Sequence, residues 1–389
     1  MDFSLSEEQA AFKKSVSDFA KKELDPRGSG SHSAMYEREK KGAFFEEGLK
    51  KCAEFGILAL PIPEQYGGLG RDVIDCTLAM QALGEACPDS GLLFTISSTV
   101  FTCEIPLLLF GSEDQKQRFL PRMVSGELIG CHAMSEPEAG SDAFSIRTTA
   151  ELRDGKYYLN GSKTFISNAP IAGLFLVFAT TDRKKGWAGV TGFLVERGQK
   201  GLTVGKPLDK MGLKTSPTGE ITLEDVEVDP SMVLGKRGQG SAIFNAEMEW
   251  ERSCLFAIHL GTMQRQLAST VAYVKDRKQF GQSVGSFQAV SHKIADMRVR
   301  IELGELILYK VAWMKSRGMR ASLESAISKL FVSESFVQSS LDAVQLRGGY
   351  GYMSEYEVER DVRDAIGSRI YSGTNEIQKN IIASLLGLG

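Results

Sequence analysis

Hydrophobic periodicity changes twice along this chain, and that change limits its fold more than any other feature. In the first third, Ser6-Glu7-Glu8-Gln9 has the form of a capping box, and Phe12, Val16, Phe19 and Ala20 follow at helical spacing. Glycine-rich interruptions at Arg27-Gly28-Ser29-Gly30 and Tyr66-Gly67-Gly68-Leu69-Gly70 divide this region, and its last helix, over residues 113–120, is expected to end near Pro121. Between Gly130 and Pro230 short β-rich runs alternate with turn signals, at residues 156–159 after Asp154-Gly155, 174–179 and 190–195. The run 220–228 alternates apolar and polar residues on either side of Glu224-Asp225, as a strand with one buried face and a local irregularity does. Beyond Gly240, helical spacing returns in Val290, Ile294, Met297 and Ile301 and over residues 322–344. The order α, β, α predicts an α+β protein whose middle part is a β-sandwich or barrel.

At 389 residues the chain exceeds the roughly 150 typical of one domain. Length alone suggests two or three domains, and the α, β, α order sets three, at 1–128 (helical), 129–232 (β) and 233–389 (helical). The net charge of -3 comes from 46 basic and 49 acidic residues with no long single-sign block, which favours neither nucleic acid nor a membrane surface as partner. Residues 1–8 lack a basic start followed by an apolar stretch, and no run of about 18 apolar residues stands out. A cytoplasmic location is expected. The six cysteines and four histidines form no zinc-like spacing, so buried free thiols and no metal are expected.

The segment Cys131-His132-Ala133-Met134-Ser135-Glu136-Pro137-Glu138-Ala139-Gly140-Ser141-Asp142, with Thr164-Phe165-Ile166-Ser167-Asn168-Ala169, is rich in small hydroxyl residues. Such loops suit a planar polar ligand or a phosphate, and serve equally as structural turns. Three further segments narrow the choice: Asp276-Arg277-Lys278-Gln279-Phe280-Gly281 with Phe287-Gln288-Ala289-Val290, then Gln345-Leu346-Arg347-Gly348-Gly349-Tyr350-Gly351, then Ile370-Tyr371-Ser372-Gly373-Thr374-Asn375-Glu376-Ile377-Gln378. In this order, across nearly the whole chain, the four motifs resemble the acyl-CoA dehydrogenase family. The resemblance implies an N-terminal helical domain, a middle β domain, a C-terminal four-helix bundle and FAD held between the last two. It also implies roles for single residues. Met134, Ser135, Phe165 and Ser167 would line the isoalloxazine, where donors stabilise incoming negative charge. Ser141 would touch the pyrophosphate, and Arg277 and Phe280 would reach the FAD of a neighbouring subunit, in a homo-oligomer that is most often a tetramer. Gln345, Gly348 and Gly349 would receive the adenine-ribose end, Thr374 would close the site, and Gln288 and Glu376 are counted among the cofactor contacts.

Removing the α-proton of a thioester needs a carboxylate held out of water. Most of the family places a glutamate directly after the tyrosine of the Tyr371-Ser372-Gly373-Thr374 motif, where this chain has Ser372. A branch including the isovaleryl and long-chain enzymes supplies it from an upstream helix, and here Glu251, just before Arg252, matches that position. Glu251 is therefore the candidate catalytic base, with Glu247, one turn earlier, as its rival. The resemblance implies that the β-hydrogen leaves as hydride to flavin N5, while a backbone N–H and a ribityl hydroxyl polarise the thioester carbonyl.

Residues 168–172, 248–255 and 368–379 further resemble the prolyl-carrier-protein dehydrogenases of natural-product biosynthesis. That implies an aminoacyl group, favoured as L-proline, on the phosphopantetheine of a carrier protein, with a free acyl-CoA as the alternative. Electron-transfer flavoprotein or oxygen would be the acceptor. A flavin monooxygenase or a catalytically silent binding protein on the same fold are the remaining readings.

Overall fold

Among the described residues, 4–24 and 34–388 of a computed structural model, seven α-helices precede the first strand. They are α1 (Glu7–Glu23), α2 (Ala34–Lys41), α3 (Glu46–Phe55), α4 (Val73–Ala86), α5 (Ser90–Thr99), α6 (Ile105–Phe110) and α7 (Glu113–Val124). The expected capping box opens α1, with Ser6 Oγ accepting from Gln9 N–H and Gln9 Oε1 accepting from Ser6 N–H, both at 3.1 Å. The interruption expected at Arg27–Gly30 and the first three residues lie outside the described residues. One expectation needs correction: α7 does not stop near Pro121 but runs on to Val124. Proline removes one helical donor, and burial of Phe119, Leu120, Met123 and Val124 on one face outweighs that loss so near the helix end.

A π-turn, Val100–Glu104, joins α5 to α6, so Ser90–Phe110 forms one helical rod with a mean hydropathy of 1.8 over its most apolar window. That rod is long and apolar enough to cross a bilayer, but 89% of the window is buried inside the protein. It is a core helix.

The middle region holds β1 (Gly130–Ala133), β2 (Thr149–Arg153), β3 (Lys156–Ser167), β4 (Leu174–Thr180), β5 (Val190–Glu196), β6 (Leu202–Val204), β7 (Thr218–Val228) and β8 (Val233–Leu234). They pair in the order β6-β7-β3-β2-β4-β5-β8, with β1 parallel to β4. The β6-β7-β3-β2 half joins the β4 half through one pair, Thr149 with Thr180, which lets the two halves curl around a shared core of Phe175, Val177, Phe193 and Ile221. The irregularity expected at Glu224-Asp225 is present as a register shift against Leu159 and Gly161, with Asp225 at φ +46°. A second shift, between Lys163 and Ile166, falls where β3 presents Phe165.

The last region packs α8 (Gly240–Asp276), α9 (Gln288–Ser316), α10 (Ser322–Arg347), α11 (Gly349–Tyr352), α12 (Val358–Ser368) and α13 (Asn375–Leu385). A small hairpin, β9 (Lys278–Gln279) with β10 (Gln282–Ser283), carries Phe280 at its tip. The 37-residue α8 organises the molecule, since one continuous core runs from Leu83 and Ile96 through Phe256 and Leu260 to Phe336. Helices α4 and α8 touch at two glycines: a Cβ on Gly84 would stand 2.1 Å from the Ile258 carbonyl, and one on Gly261 would stand 2.0 Å from that of Gln81. Only hydrogen fits there, so these contacts fix the height and rotation of α8.

Candidate active site

The buried face of α8 carries Glu247 and Glu251, four residues apart and therefore stacked on one side of the helix. Burial pushes the Glu251 carboxyl up to about 7. Glu247 adds to that rise, while His132, the Ser372 hydroxyl and Arg252 oppose it. Its Oε2 is buried without a hydrogen-bond partner. Glu247 is wholly buried, and desolvation holds its carboxyl well above the usual carboxylate range. His132 on β1 approaches Glu247 Oε1 to 2.6 Å, out of line for a hydrogen bond, and burial depresses its pKa to about 4, leaving the ring neutral. Both stacked carboxyls are raised by burial, and Glu251 is the one brought to about 7.

Folding brings Ser372 to Glu251. The loop after α12 places Ser372 at φ +58°, and its carbonyl accepts from Arg252 Nε at 3.1 Å and from Gln378 Nε2 at 3.2 Å. Next to it, Tyr371 Oη lies 2.8 Å from His259 Nε2, which fixes the start of the loop in the α8 core. Thr374 caps α13 by accepting from Ile377 N–H at 3.3 Å. The position where most of the resembled family carries its glutamate therefore faces the same space as Glu251.

The Met134 and Ser135 segment is held from beneath. Lys163, wholly buried in β3, donates to the Met134 carbonyl at 3.0 Å and pairs with Glu136 at 2.8 Å. Glu136 also accepts from the Arg147 and Thr148 amides. Burial lowers the Lys163 ammonium to about 8, with Glu136 opposing that fall. Asn168, buried at φ +66°, donates through Nδ2 to Thr95, Thr99 and Gly130, tying the end of β3 to α5 and β1. Between these anchors Phe165 sits at φ +59° and is 71% exposed. A phenylalanine held open by a strained backbone between two serine-bearing segments fits a flat aromatic ligand. Ser167 is half-buried beside it, and Ser141 lies in an exposed loop.

A second constellation lies apart. Arg277, Phe280, Gln345, Gly348 and Gly349 line a single cleft of about 900 Å³, in which Met134, Ser135, Phe165 and Ser167 take no part. Phe280 is 92% exposed, and the Arg277 guanidinium lies 5.6 Å from the Tyr350 ring centre. Gly348 has φ +59° and ψ -135°, a conformation open to glycine alone, with nothing within 4 Å of where a Cβ would be. No side chain shields this turn, although its N–H donates to the Gln345 carbonyl at 3.1 Å and its carbonyl accepts from Gly351 N–H at 3.0 Å. Gln288, exposed at the start of α9, does not line the cleft although Phe287 and Ala289 do, and Glu376 is exposed at the start of α13. Reading the sequence missed the supports: Lys163, Asn168 and the His132–Glu247 contact. A lysine inside an otherwise β-rich run was the one local signal available.

Comparison with known proteins now adds to this geometry. The N-terminal, middle and C-terminal domains of acyl-CoA dehydrogenase match residues 6–127, 131–226 and 238–387. An L-prolyl-[peptidyl-carrier protein] dehydrogenase of Pseudomonas fluorescens is 44% identical over 338 residues, covering 87% of this chain and 89% of that protein. A second, from Serratia sp., is 41% identical over 388 residues, covering 100% and 99%. Among solved structures, the prolyl acyl carrier protein oxidase AnaB superposes with a TM-score of 0.96 at 43% identity, covering 99% of this chain and 100% of that one.

Proposed function

The chain belongs to the acyl-CoA dehydrogenase family, and from that premise we propose that it oxidises the Cα–Cβ bond of an aminoacyl thioester, a prolyl group on the phosphopantetheine arm of a carrier protein. The observation that carries this reading is the buried Glu251 carboxyl facing Ser372, with its Oε2 unpartnered and its pKa raised by burial to about 7. A carboxylate so placed is a strong enough base for an activated α-proton and is ionised often enough to act. Identity over 40% to two prolyl-carrier dehydrogenases supports the acyl group and its carrier.

FAD is the cofactor in this reading, and when bound it supplies the acceptor for the β-hydrogen and its electron pair. Glu251 takes the α-proton onto its carboxylate. Met134, Ser135, Phe165 and Ser167 would receive the ring system, and the Lys163–Glu136 pair holds the Met134-Ser135 loop against β3. Arg277, Phe280, Gln345, Gly348 and Gly349 offer a cation, an aromatic ring and open backbone to the nucleotide end. As the family resemblance implies, Arg277 and Phe280 would reach the FAD of a second copy of the chain, in a homotetramer. Electron-transfer flavoprotein or oxygen would then reoxidise the enzyme.

Anaerobic titration of the holoenzyme with prolyl carrier protein, prolyl-CoA and simple acyl-CoAs tests the proposal. Bleaching of the flavin by prolyl carrier protein is the expected result. Bleaching by simple acyl-CoA alone would replace the substrate, and no bleaching by any thioester would replace the activity.

A further inference from the structure

We infer that the rim of this site is a docking surface for an acidic carrier protein, formed by six basic side chains at the N-terminal end of α8. This rests on the proposed substrate and says where its protein part is held. Three loops converge there. Arg183 Nη2 donates to the Arg147 carbonyl at 2.8 Å, and Arg237 Nη2 donates to the Thr181 carbonyl at 3.1 Å. A Cβ on Gly238 would stand 2.7 Å from the Ala188 carbonyl, so the loops of 181–189 and 235–239 are in contact.

Arg147, Arg183, Lys184, Lys185, Lys236 and Arg237 are all exposed on these loops. Two carboxylates pair into the group, Glu138 with Arg147 and Asp182 with Lys185, leaving a positive excess in a chain whose net charge is -3. Trp187, 64% exposed, stands among them. Exposed arginines around an open tryptophan are the composition of a protein-binding patch. The spread over three loops suits the broad acidic face of a folded partner better than the few phosphates of a nucleotide.

The ridge is continuous with the chemistry. Inward from it the Phe144 and Phe244 rings meet edge-on at 5.6 Å, and Phe244 lies 5.8 Å from His132, which touches Glu247. From Gly240, beside the ridge, to Glu251 is eleven residues of helix, or roughly 17 Å at 1.5 Å per residue. A pantetheine arm anchored at the ridge can cover that depth, and a free amino acid cannot.

The test compares three prolyl thioesters, on carrier protein, on CoA and on pantetheine alone, with the wild-type holoenzyme and with two variants, Arg183→Glu/Lys184→Glu and Arg237→Glu. Reversal of charge is expected to raise KM for the carrier substrate at least about tenfold and to flatten its dependence on salt. Prolyl-pantetheine should be oxidised as by wild type, which excludes damage to the fold. Unchanged KM for the carrier substrate would overturn the inference while leaving the substrate reading intact. An equal loss with prolyl-CoA would also overturn it, by making the ridge a nucleotide-phosphate site. Wild-type enzyme bleached only by simple acyl-CoA would instead sink the substrate reading, and the docking surface with it.

Discussion

Arg252 Nε donates to the Ser372 carbonyl at 3.1 Å, so the residue next to the proposed base on α8 also holds the loop that faces it. Two segments 120 residues apart in sequence are thereby fixed against each other around one carboxyl group.

Replacing Glu251 with Gln keeps the size and removes the proposed base. Reduction of the flavin by prolyl carrier protein should slow by about 10²–10⁴-fold, the range for loss of a positioned general base, with flavin content unchanged. Stopped-flow absorbance checks this. An undiminished rate would point to Glu247.

The position of the base should be exchangeable. In Glu251→Gln/Ser372→Glu a carboxylate returns to the same space from the opposite wall, and bleaching should recover at least about tenfold over the single variant. If the double variant is as slow as Glu251→Gln, the two positions do not serve the same atom.

The pH dependence has a defined sign. Burial raises Glu251 to about 7, so on the free enzyme kcat/KM should climb about tenfold per unit in acid and level off above pH 8. Stability runs the other way. Between the ordinary carboxyl value of 4.5 and about 7 the native state binds the proton more tightly than the unfolded state, so stability falls as pH rises through that window. Glu251→Gln should therefore be the more stable protein at pH 8, by up to about 3 kcal/mol, from 1.36 kcal/mol for each unit of pKa. Denaturant melts of both proteins at pH 5 and pH 8 measure the difference.

Lys163→Met leaves Glu136 as a buried carboxylate without its cation and frees the Met134 carbonyl. Breaking a buried pair on one side costs about 3–5 kcal/mol. The expected outcome is a lower Tm and weaker flavin retention on gel filtration. Normal flavin content at a normal Tm would remove this pair from its supporting role.

Much of the architecture was legible because the hydrophobic period reports backbone geometry directly. The 3.6-residue spacing of Phe12, Val16 and Phe19 and the alternation around Glu224-Asp225 both became the elements they predicted. Pro121 was less legible, since local propensity marks it as a stop and only the packing of Met123 and Val124 carries α7 past it. At the site, residue type and motif order pointed to Glu251, Phe165 and the Gly348-Gly349 turn. They could not reveal that Lys163 turns inward under Met134, or that His132 meets Glu247 across 115 residues. Those are contacts between elements, and no local pattern encodes them.

The seating of α8 on α4 at Gly84 and Gly261 has a stereochemical consequence. A carboxyl carried by a helix locked at that height can approach the α-carbon from one side only. An amino-acid thioester of one handedness presents its hydrogen to that side, while its mirror image presents a ring carbon or nitrogen. With Glu251 as the proposed base, the crossing of two helices at a pair of glycines would make the site a reader of chirality as well as of chemistry.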